Sequence, residues 1–248
     1  MEHEKRNIKL IIEYDGTNYQ GWQRQKNAPT IRKAIEDAIS HMTHEKVEVI
    51  AAGRTDSGVH ALNQVANFHT HSKIPVEGFV KGLNSLLPPD VVIKGASNVP
   101  MDFHARYNCK AKTYDYYILN RATPSAIHRN YSWFVPQILQ LAPMRRCLKL
   151  VIGKHDFSSF QATGSSTKDS LREVYGAYLR KQNDLICLSI EANGFLRHMV
   201  RNVVGTLVDV GTGKKAPSDF VAILASKNRA LGGATAPPQG LFLREVRY

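Results

Sequence analysis

One short segment, GRTDSG, carries the residues best suited to chemistry, and it lies between Gly53 and Gly58. It follows an apolar stretch that predicts a strand. Glycine permits backbone angles that other residues avoid, so such a loop can present one side chain at a fixed angle. Asp56 is the only carboxylate of the loop, with Arg54 and His60 close by. An ionised and oriented carboxylate can act as nucleophile or general base. The alternative is an ordinary turn in which Asp56 hydrogen-bonds its own backbone.

A second pattern alternates cations and aromatic rings along the stretch 110–119. If this stretch is a strand, Lys110, Lys112, Tyr114 and Tyr116 share one of its faces. Rings interleaved with ammonium groups suit a stacked nucleobase beside phosphates. An ordinary cross-strand face is the alternative interpretation.

A third pattern lies in a predicted helix over 196–210. Arg197 and Arg201 are four residues apart and therefore share a helix face, away from the apolar stripe through Met199 and Val203. A solvated basic face is one interpretation. A buried partner for one of the two arginines is the other.

The charge balance favours a polyanionic partner. Lys and Arg number 33 and Asp and Glu 21, so the net charge of the 248 residues is +12. Neutralising phosphates releases condensed counterions, which makes nucleic acid the first candidate and an anionic membrane face the second. The basic residues are spread along the chain, a pattern typical of a folded surface rather than of a basic arm.

Cysteine usage and hydropathy exclude several classes of protein. Three cysteines without a CxxC pair argue against a disulfide scaffold and against a four-cysteine zinc site. No stretch approaches about 18 uncharged apolar residues, so a membrane-spanning segment is not expected. We therefore expect a cytoplasmic protein.

The elements that must position these residues follow the order β-α-β-β-α-β about twice. Thr30 and Ser218 are expected to cap helices. This order predicts an α+β protein of two similar halves, each a mainly antiparallel sheet with helices on one face. The first half (1–106) carries the GRTDSG loop, and the second (107–248) carries Tyr114 and the long helix. The predicted strands are 8–14, 47–51, 64–70, 91–99, 110–119, 174–180, 185–192 and 241–246, and the predicted helices are 31–44, 76–87, 141–151, 196–210 and 218–226.

Taken together and in order, several segments resemble the tRNA pseudouridine synthases of the TruA type. GRTDSGVHA is similar to the signature of that family, and the resemblance covers nearly the whole chain. The joint pattern is specific, whereas any one segment alone is weak. One departure is Asp115, where a basic residue is common, and it could alter RNA affinity or choice. The supporting segments are EYDGTNYQGWQRQ, FHARYNCKAKTYDYYI, HDFSSFQA, FLRHMVRNVVGTL and PPQGLFL.

The resemblance implies the pseudouridine synthase fold and the isomerisation of uridine to pseudouridine in the tRNA anticodon arm, nominally at positions 38 to 40. The base is detached from the ribose, rotated and reattached through carbon. Neither redox change nor hydrolysis occurs, so the resemblance implies no cofactor and no metal. The implied partners are tRNA and a second copy of the chain in a homodimer.

Site residues carry over position by position. Asp56 matches the essential aspartate that acts on the sugar as nucleophile or base, and Arg201 matches the arginine that pairs with it. Tyr114 matches the tyrosine that stacks on the target uracil and assists proton transfer at C5. Arg54 matches the arginine that helps to flip or hold the RNA, and Leu241 matches an apolar residue of the pocket.

Lys110 and Lys112 suit contacts with the RNA, because extrusion of the target base from a stem must be offset by phosphate contacts and stacking. Other functions remain open at this point. The chain could be an RNA-binding or tRNA-folding module without catalysis, or a synthase of the same family with other target positions. A glycosidase acting on free nucleosides is disfavoured, because such enzymes usually need two carboxylates.

Overall fold

The computed structural model describes residues 4–164 and 169–248. The chain divides into two compact units, which we call the N-unit (1–110 with 243–248) and the C-unit (111–242). The GRTDSG loop belongs to the N-unit, whereas Tyr114 and Arg201 belong to the C-unit. The division into halves at residues 106 and 107 stays a prediction.

The described residues form ten strands and five α-helices, together with short 3-10 turns. The strands are β1 (Arg6–Tyr14), β2 (Ile50–Ala51), β3 (His60–Thr70), β4 (Val91–Val99), β5 (Ala111–Asn120), β6 (Trp133–Val135), β7 (Gly153–Asp156), β8 (Leu171–Gln182), β9 (Leu185–Ala192) and β10 (Leu241–Arg247). The helices are α1 (Ile31–Thr43), α2 (Val76–Leu86), α3 (Leu141–Lys149), α4 (Met199–Gly211) and α5 (Pro217–Ser226).

The N-unit is an antiparallel sheet with the strand order β4–β1–β3–β10, in which β2 pairs with β3. Alternate residues of β1 point into the core, so that Ile8, Leu10 and Ile12 are fully buried. Helix α2 packs on the sheet through Phe79, whose ring meets Phe68 of β3 edge to face at 5.5 Å. Burying a ring of this size contributes about 2 kcal/mol. The GRTDSG loop lies between β2 and the largely buried strand β3.

The strands of the C-unit follow the order β5–β9–β8–β7 with antiparallel pairing, and β6 pairs with β5 in parallel. Helix α4 is nearly enclosed, since eleven of its thirteen residues are buried. It contacts α3, α5 and β5 and so forms the centre of the unit. The mainly antiparallel α+β architecture expected from the sequence is confirmed. None of the helices within the described ranges is long and apolar enough to cross a membrane.

Two predictions about α4 and α5 are wrong. Helix α4 begins at Met199 rather than at residue 196, because His198 adopts a left-handed backbone with φ 61°. Arg197 therefore lies outside the helix and shares no helix face with Arg201. Helix α5 begins after Ala216, whose N–H donates to the Asp219 carboxylate at 2.7 Å, so the cap expected from Ser218 does not form.

Thr30 stands at the N-cap position of α1 with φ −137° and ψ 149°, but its side chain makes no capping hydrogen bond. The residue is 1% exposed, and within the described ranges no partner lies in hydrogen-bond reach of its hydroxyl. The expected side-chain cap is therefore wrong, although the helix begins where it was predicted. A buried hydroxyl without a partner costs free energy of folding.

Replacing Thr30 with Val should consequently leave the free energy of unfolding unchanged or raise it by up to about 1 kcal/mol, because the shape is kept and the hydroxyl is removed. A working cap would instead lose about 1 kcal/mol. Urea unfolding of both proteins measures the difference. Thr43→Val is the matched control and should destabilise, since the Thr43 hydroxyl donates to Ile39 O at 2.8 Å and accepts from Glu45 N–H.

Candidate active site

The GRTDSG loop joins β2 to β3, and the segment that follows β1 holds it in place through backbone hydrogen bonds. Trp22 N–H donates to Thr55 O at 3.1 Å, and Gly58 N–H donates to Tyr19 O at 3.3 Å. Both bonds lie within one or two residues of the centre of the loop. The backbone that carries the candidate carboxylate is therefore tied down on both sides.

Two glycines of the segment after β1 allow this close approach. A Cβ atom on Gly16 would lie 2.0 Å from the carbonyl oxygen of Val59, and one on Gly21 would lie 2.5 Å from that of Thr55. Gly21 also has a φ of +84°, a conformation that other residues adopt only at a cost. The glycines of the DGTNYQG segment are therefore required by the loop that they support.

Side chains of the N-unit core anchor the same loop from beneath. The Tyr14 hydroxyl and Thr55 Oγ1 are hydrogen-bonded at 2.8 Å, and Gln64 Nε2 donates to Gly53 O at 2.8 Å. Burial raises the pKa of Tyr14 to about 12, against the lowering effect of its bonds with Thr55 and Gln64. At neutral pH the Tyr14 phenol is uncharged and serves as an anchor.

The functional side chains lie at the outer end of this anchored loop. Asp56 is half-buried and Arg54 is exposed. The turn is closed by the backbone, with Val59 N–H donating to the Asp56 carbonyl oxygen at 3.2 Å. His60 is buried, and its Nδ1 accepts from Gly16 N–H at 3.1 Å. His60 thus fixes the supporting segment, and the loop presents Asp56 and Arg54.

Tyr114 and Tyr116 share a face of β5 but occupy different surroundings in the C-unit. The Tyr114 ring meets Phe195 edge to face, with centroids 5.0 Å apart. The Tyr116 hydroxyl donates to Pro237 O at 2.7 Å. Burial raises the pKa of Tyr116 far above its usual range, and the positive charge of Arg201 opposes the shift. Tyr116 is fully buried and acts as a structural anchor, which leaves Tyr114 as the candidate for contact with a base.

The charged residues in and before β5 do not all lie on the strand face that alternation predicted for them. Lys110 is exposed and precedes the strand, and its N–H donates to Arg247 O at 2.8 Å within the N-unit. Lys112 lies on β5 and is half-buried. Asp115, where the family commonly has a basic residue, is 4% exposed and lies opposite Ser189 of β9. Asp115 therefore belongs to the interior of the sheet.

Arg201 lies in the first turn of α4, and a hydrogen bond from its Nε holds the side chain in place. Its Nε donates to Ala236 O at 2.7 Å, and Ala236 N–H donates back to Arg201 O at 3.1 Å. A Cβ on Gly205 would lie 1.7 Å from Ala234 O, so α4 can accept this segment only at a glycine. Leu241 begins β10 five residues after Ala236 and is buried.

A network that the sequence analysis missed holds the segment before Ala236. Arg229 Nη2 donates to Asn202 Oδ1 at 3.0 Å and to Gly233 O at 2.9 Å, and Thr235 Oγ1 donates to the same Asn202 oxygen at 2.7 Å. Burial lowers the pKa of Arg229. These residues indirectly fix the carbonyl that Arg201 uses. Asn202 lies within the segment FLRHMVRNVVGTL and Thr235 lies two residues before PPQGLFL, whereas Arg229 lies in neither segment.

The HDFSSF segment is ordered by one carboxylate. Asp156 Oδ1 accepts from the Ser158 hydroxyl at 2.6 Å, from Ser158 N–H at 3.0 Å and from the Ser170 hydroxyl at 2.6 Å, and Lys227 lies 3.2 Å from its Oδ2. Burial acts to raise the pKa of Asp156, but the hydrogen bonds from Ser158, Ser170 and Lys227 lower it well below its usual range. Asp156 therefore organises the turn after β7.

The candidate residues fall into two groups by unit. Asp56, Arg54 and Lys110 lie in the N-unit. Tyr114, Arg201, Lys112 and Leu241 lie in the C-unit. Over residues 4–164 and 169–248, no group of three or more His, Cys, Asp or Glu side chains is placed to hold a metal ion.

Replacing Gly21 with Ala should destabilise the N-unit and reduce activity more than 10-fold, because the new Cβ meets Thr55 O and pushes on the loop that carries Asp56. Gly213→Ala is the matched control. Gly213 has φ +77° with open space around its Cβ position, so only the backbone cost of about 1 kcal/mol applies. Urea unfolding and turnover measure both effects. Equal losses in the two variants would contradict the close-approach argument.

Comparison with known proteins confirms the resemblance. A family model described as tRNA pseudouridine synthase matches residues 10–108 and 148–248. The chain is 49% identical to tRNA pseudouridine synthase A of Thermoanaerobacter sp. (strain X514) and 50% identical to that of Caldicellulosiruptor bescii, in each case over 98% of this chain and 100% of the relative. The solved archaeal box H/ACA sRNP Nop10-Cbf5 complex contains a chain with a TM-score of only 0.37 and 11% identity, covering 82% of this chain and 43% of that one. The first two findings suffice: the chain belongs to the tRNA pseudouridine synthase family.

Proposed function

We propose that this enzyme is an isomerase that converts uridine to pseudouridine in the tRNA anticodon stem-loop, nominally at positions 38 to 40. The observation that carries the proposal is the 49–50% identity with enzymes named tRNA pseudouridine synthase A along 98% of this chain. The net charge of +12 supports a polyanionic substrate.

The reaction balances without a co-reactant. The bond between N1 of uracil and C1′ of the ribose breaks, the base rotates, and a bond between C5 and C1′ forms. C5 then loses its proton, and N1 of the product carries one. The protein must therefore hold a detached base, stabilise the ribose and move one proton.

Asp56 is the residue that we propose acts on the sugar, as nucleophile or base. That role needs an ionised carboxylate in a fixed position. The backbone bonds of Thr55 and Gly58 and the absence of a Cβ at Gly21 support it, because they hold the loop against motion. Small displacements of a reacting group cost large factors in rate.

We further propose that Arg201 pairs with Asp56 and orients it. The anchoring of Arg201 Nε on Ala236 O supports this role, since it restricts where the terminal nitrogens can point. A guanidinium next to the carboxylate would also favour its ionised form. Arg54, which is exposed, would hold the RNA or help to flip the target nucleotide.

Tyr114 would stack on the extruded uracil and assist proton transfer at C5, with Leu241 lining the pocket. Extrusion of a base from a stem costs a few kcal/mol. Contacts of Lys110 and Lys112 with phosphates, together with stacking on Tyr114, would offset that cost. We propose a homodimer in the cytoplasm as the working form of the enzyme.

Replacing Asp56 with Asn should reduce pseudouridine formation by about a thousandfold or more, because the amide can neither attack the sugar nor accept a proton. Tritium release from C5-labelled uridine in tRNA measures the rate. Asp37→Asn is the matched control, since Asp37 pairs with Lys33 on the exposed face of α1, and it should keep full activity. Retained turnover in the Asp56 variant would refute its role.

A protein that binds tRNA without changing nucleoside composition would be an RNA-binding module instead. Carbodiimide labelling of the product detects pseudouridine, which has the same mass as uridine. Wild-type protein that binds several unmodified tRNAs and produces no labelled nucleoside would establish that alternative.

Replacing Tyr114 with Phe should keep the Kd for substrate tRNA within about twofold, because the ring still stacks, whereas Tyr114→Ala should weaken it about 10-fold. A fall in kcat for the Phe variant would then report the hydroxyl in proton transfer, a role worth about 10²- to 10⁴-fold. Tyr116→Phe is the control on the same strand face and should lower stability, because it loses the bond to Pro237 O. Equal Kd values for Tyr114→Phe and Tyr114→Ala would contradict stacking.

A further inference from the structure

The segment between β4 and β5 carries aromatic and basic side chains that the proposed reaction does not use. Tyr107 is 75% exposed, and Arg106 and Asn108 are exposed beside it. A single exposed ring is common on protein surfaces. Here, however, the conformation of the ring is fixed by its neighbours.

His104 forms the fixed half of an aromatic pair. The Nδ1 of its ring accepts from Arg106 N–H and from Tyr107 N–H, each at 3.2 Å, and the backbone N–H of His104 donates to Asn108 Oδ1 at 2.6 Å. The His104 and Tyr107 rings lie 4.2 Å apart between centroids, tilted by 30°. The pair is thus a preformed stack, and a ligand that extends it would lose little conformational entropy of the protein.

The pair is rooted at the base of the candidate active-site loop. Ala105 is fully buried in one cluster with Ala52 and Val65, and its N–H donates to Asn67 Oδ1 at 2.9 Å. Ala52 directly precedes the GRTDSG loop. Asp56 lies four positions after Ala52, so their Cα atoms are at most about 14 Å apart. The stacked pair and Asp56 therefore belong to the same rigid part of the N-unit.

Charge selects the class of ligand. The Arg106 guanidinium lies 5.8 Å from the centroid of the Tyr107 ring, and Lys110 follows three residues later. Asp102 is the one acidic residue of the segment 101–110. Planar rings beside cations suit a nucleobase with its phosphate, because stacking and charge then act on the same nucleotide.

We propose that the His104–Tyr107 pair is a stacking platform for an unpaired base of the substrate tRNA outside the reacting position, with Arg106 contacting the adjoining phosphate. This inference rests on the proposed function for the identity of the RNA. The platform adds affinity and register to the substrate complex, and it takes no part in bond breaking.

The test compares Tyr107→Ala and Tyr107→Phe with the wild type, using an anticodon stem-loop RNA. The Ala variant should bind with a Kd raised about 10-fold and turn over normally at saturating RNA, whereas the Phe variant should match the wild type. Tyr175→Ala is the matched control, because Tyr175 is 47% exposed on β8 and should leave the Kd unchanged.

A direct readout uses Trp at the same positions. The emission of Tyr107→Trp should be quenched by a short oligouridine, and the emission of Tyr175→Trp should not. An unchanged Kd for Tyr107→Ala, or equal quenching at the two positions, would overturn the platform. A change of sedimentation coefficient in Tyr107→Ala without RNA would overturn it too, since the surface would then be a contact between copies of the chain.

Failure of the proposed function would look different. Wild-type protein that forms no pseudouridine would refute the proposed reaction, while a Kd effect confined to Tyr107→Ala would still support an RNA-binding platform. Wild-type protein that forms pseudouridine, with a Tyr107→Ala variant that binds normally, would refute the platform alone.

Discussion

The structure of the candidate site depends on the close approach of two backbone segments in the N-unit. The carbonyl oxygens of Thr55 and Val59 lie where side chains at Gly21 and Gly16 would otherwise be. Because the contact is made by backbone atoms, the loop that carries Asp56 is positioned without relying on long, flexible side chains. A carboxylate that must meet one atom of a bound sugar benefits from such a rigid support.

The C-unit positions Arg201 by the same physical means. The carbonyl of Ala234 lies against Gly205, where any larger residue would collide, and the next residues bring Ala236 O to Arg201 Nε. Helix α4 can serve as the fixed partner because it is buried on nearly all sides. In both units, then, the absence of a side chain at a glycine leaves space for a carbonyl oxygen. The close packing of the two backbone segments fixes the direction of a neighbouring polar side chain. Gly16 and Gly21 lie in a loop, whereas Gly205 lies in a helix far away in the sequence.

Elements with a clear hydrophobic period were predictable, and those fixed by single backbone conformations were not. Strands β4 and β9 occur at the predicted residues, and helices α1 and α2 end within one residue of their predicted limits. The predicted start of α4 was wrong because the hydrophobic pattern of the sequence does not reveal that His198 adopts a left-handed backbone conformation. Strands β6 and β7 were missed since three or four residues are too few to show a pattern.

For the candidate site, the sequence revealed the residues that carry chemistry but missed those that position them. Asp56 could be found because it lies within a contiguous motif between glycines. Asn202, Arg229 and Thr235 could not, because their hydrogen bonds form only after the fold brings the start of α4 together with the segment 229–236. Polar residues of this kind look like ordinary surface positions in a linear sequence. Asn202 accepts its two hydrogen bonds from Arg229 and Thr235, which lie more than 25 residues away in the sequence.

Tyr114 and Tyr116 of β5 show that alternation along a strand predicts which face a residue occupies but not what role it has. Spacing by two places Tyr114 and Tyr116 on one face, and both are buried. Their contacts outside the strand distinguish them: the Tyr114 ring meets the ring of Phe195, whereas Tyr116 donates to Pro237 O and its ring lies against Gly240. The bond from Tyr116 holds the residue next to the one that anchors Arg201. Tyr116 is therefore linked to Arg201 through the backbone, and the positive charge of Arg201 also acts on the Tyr116 hydroxyl. The Tyr116 ring is too deeply buried to touch a substrate.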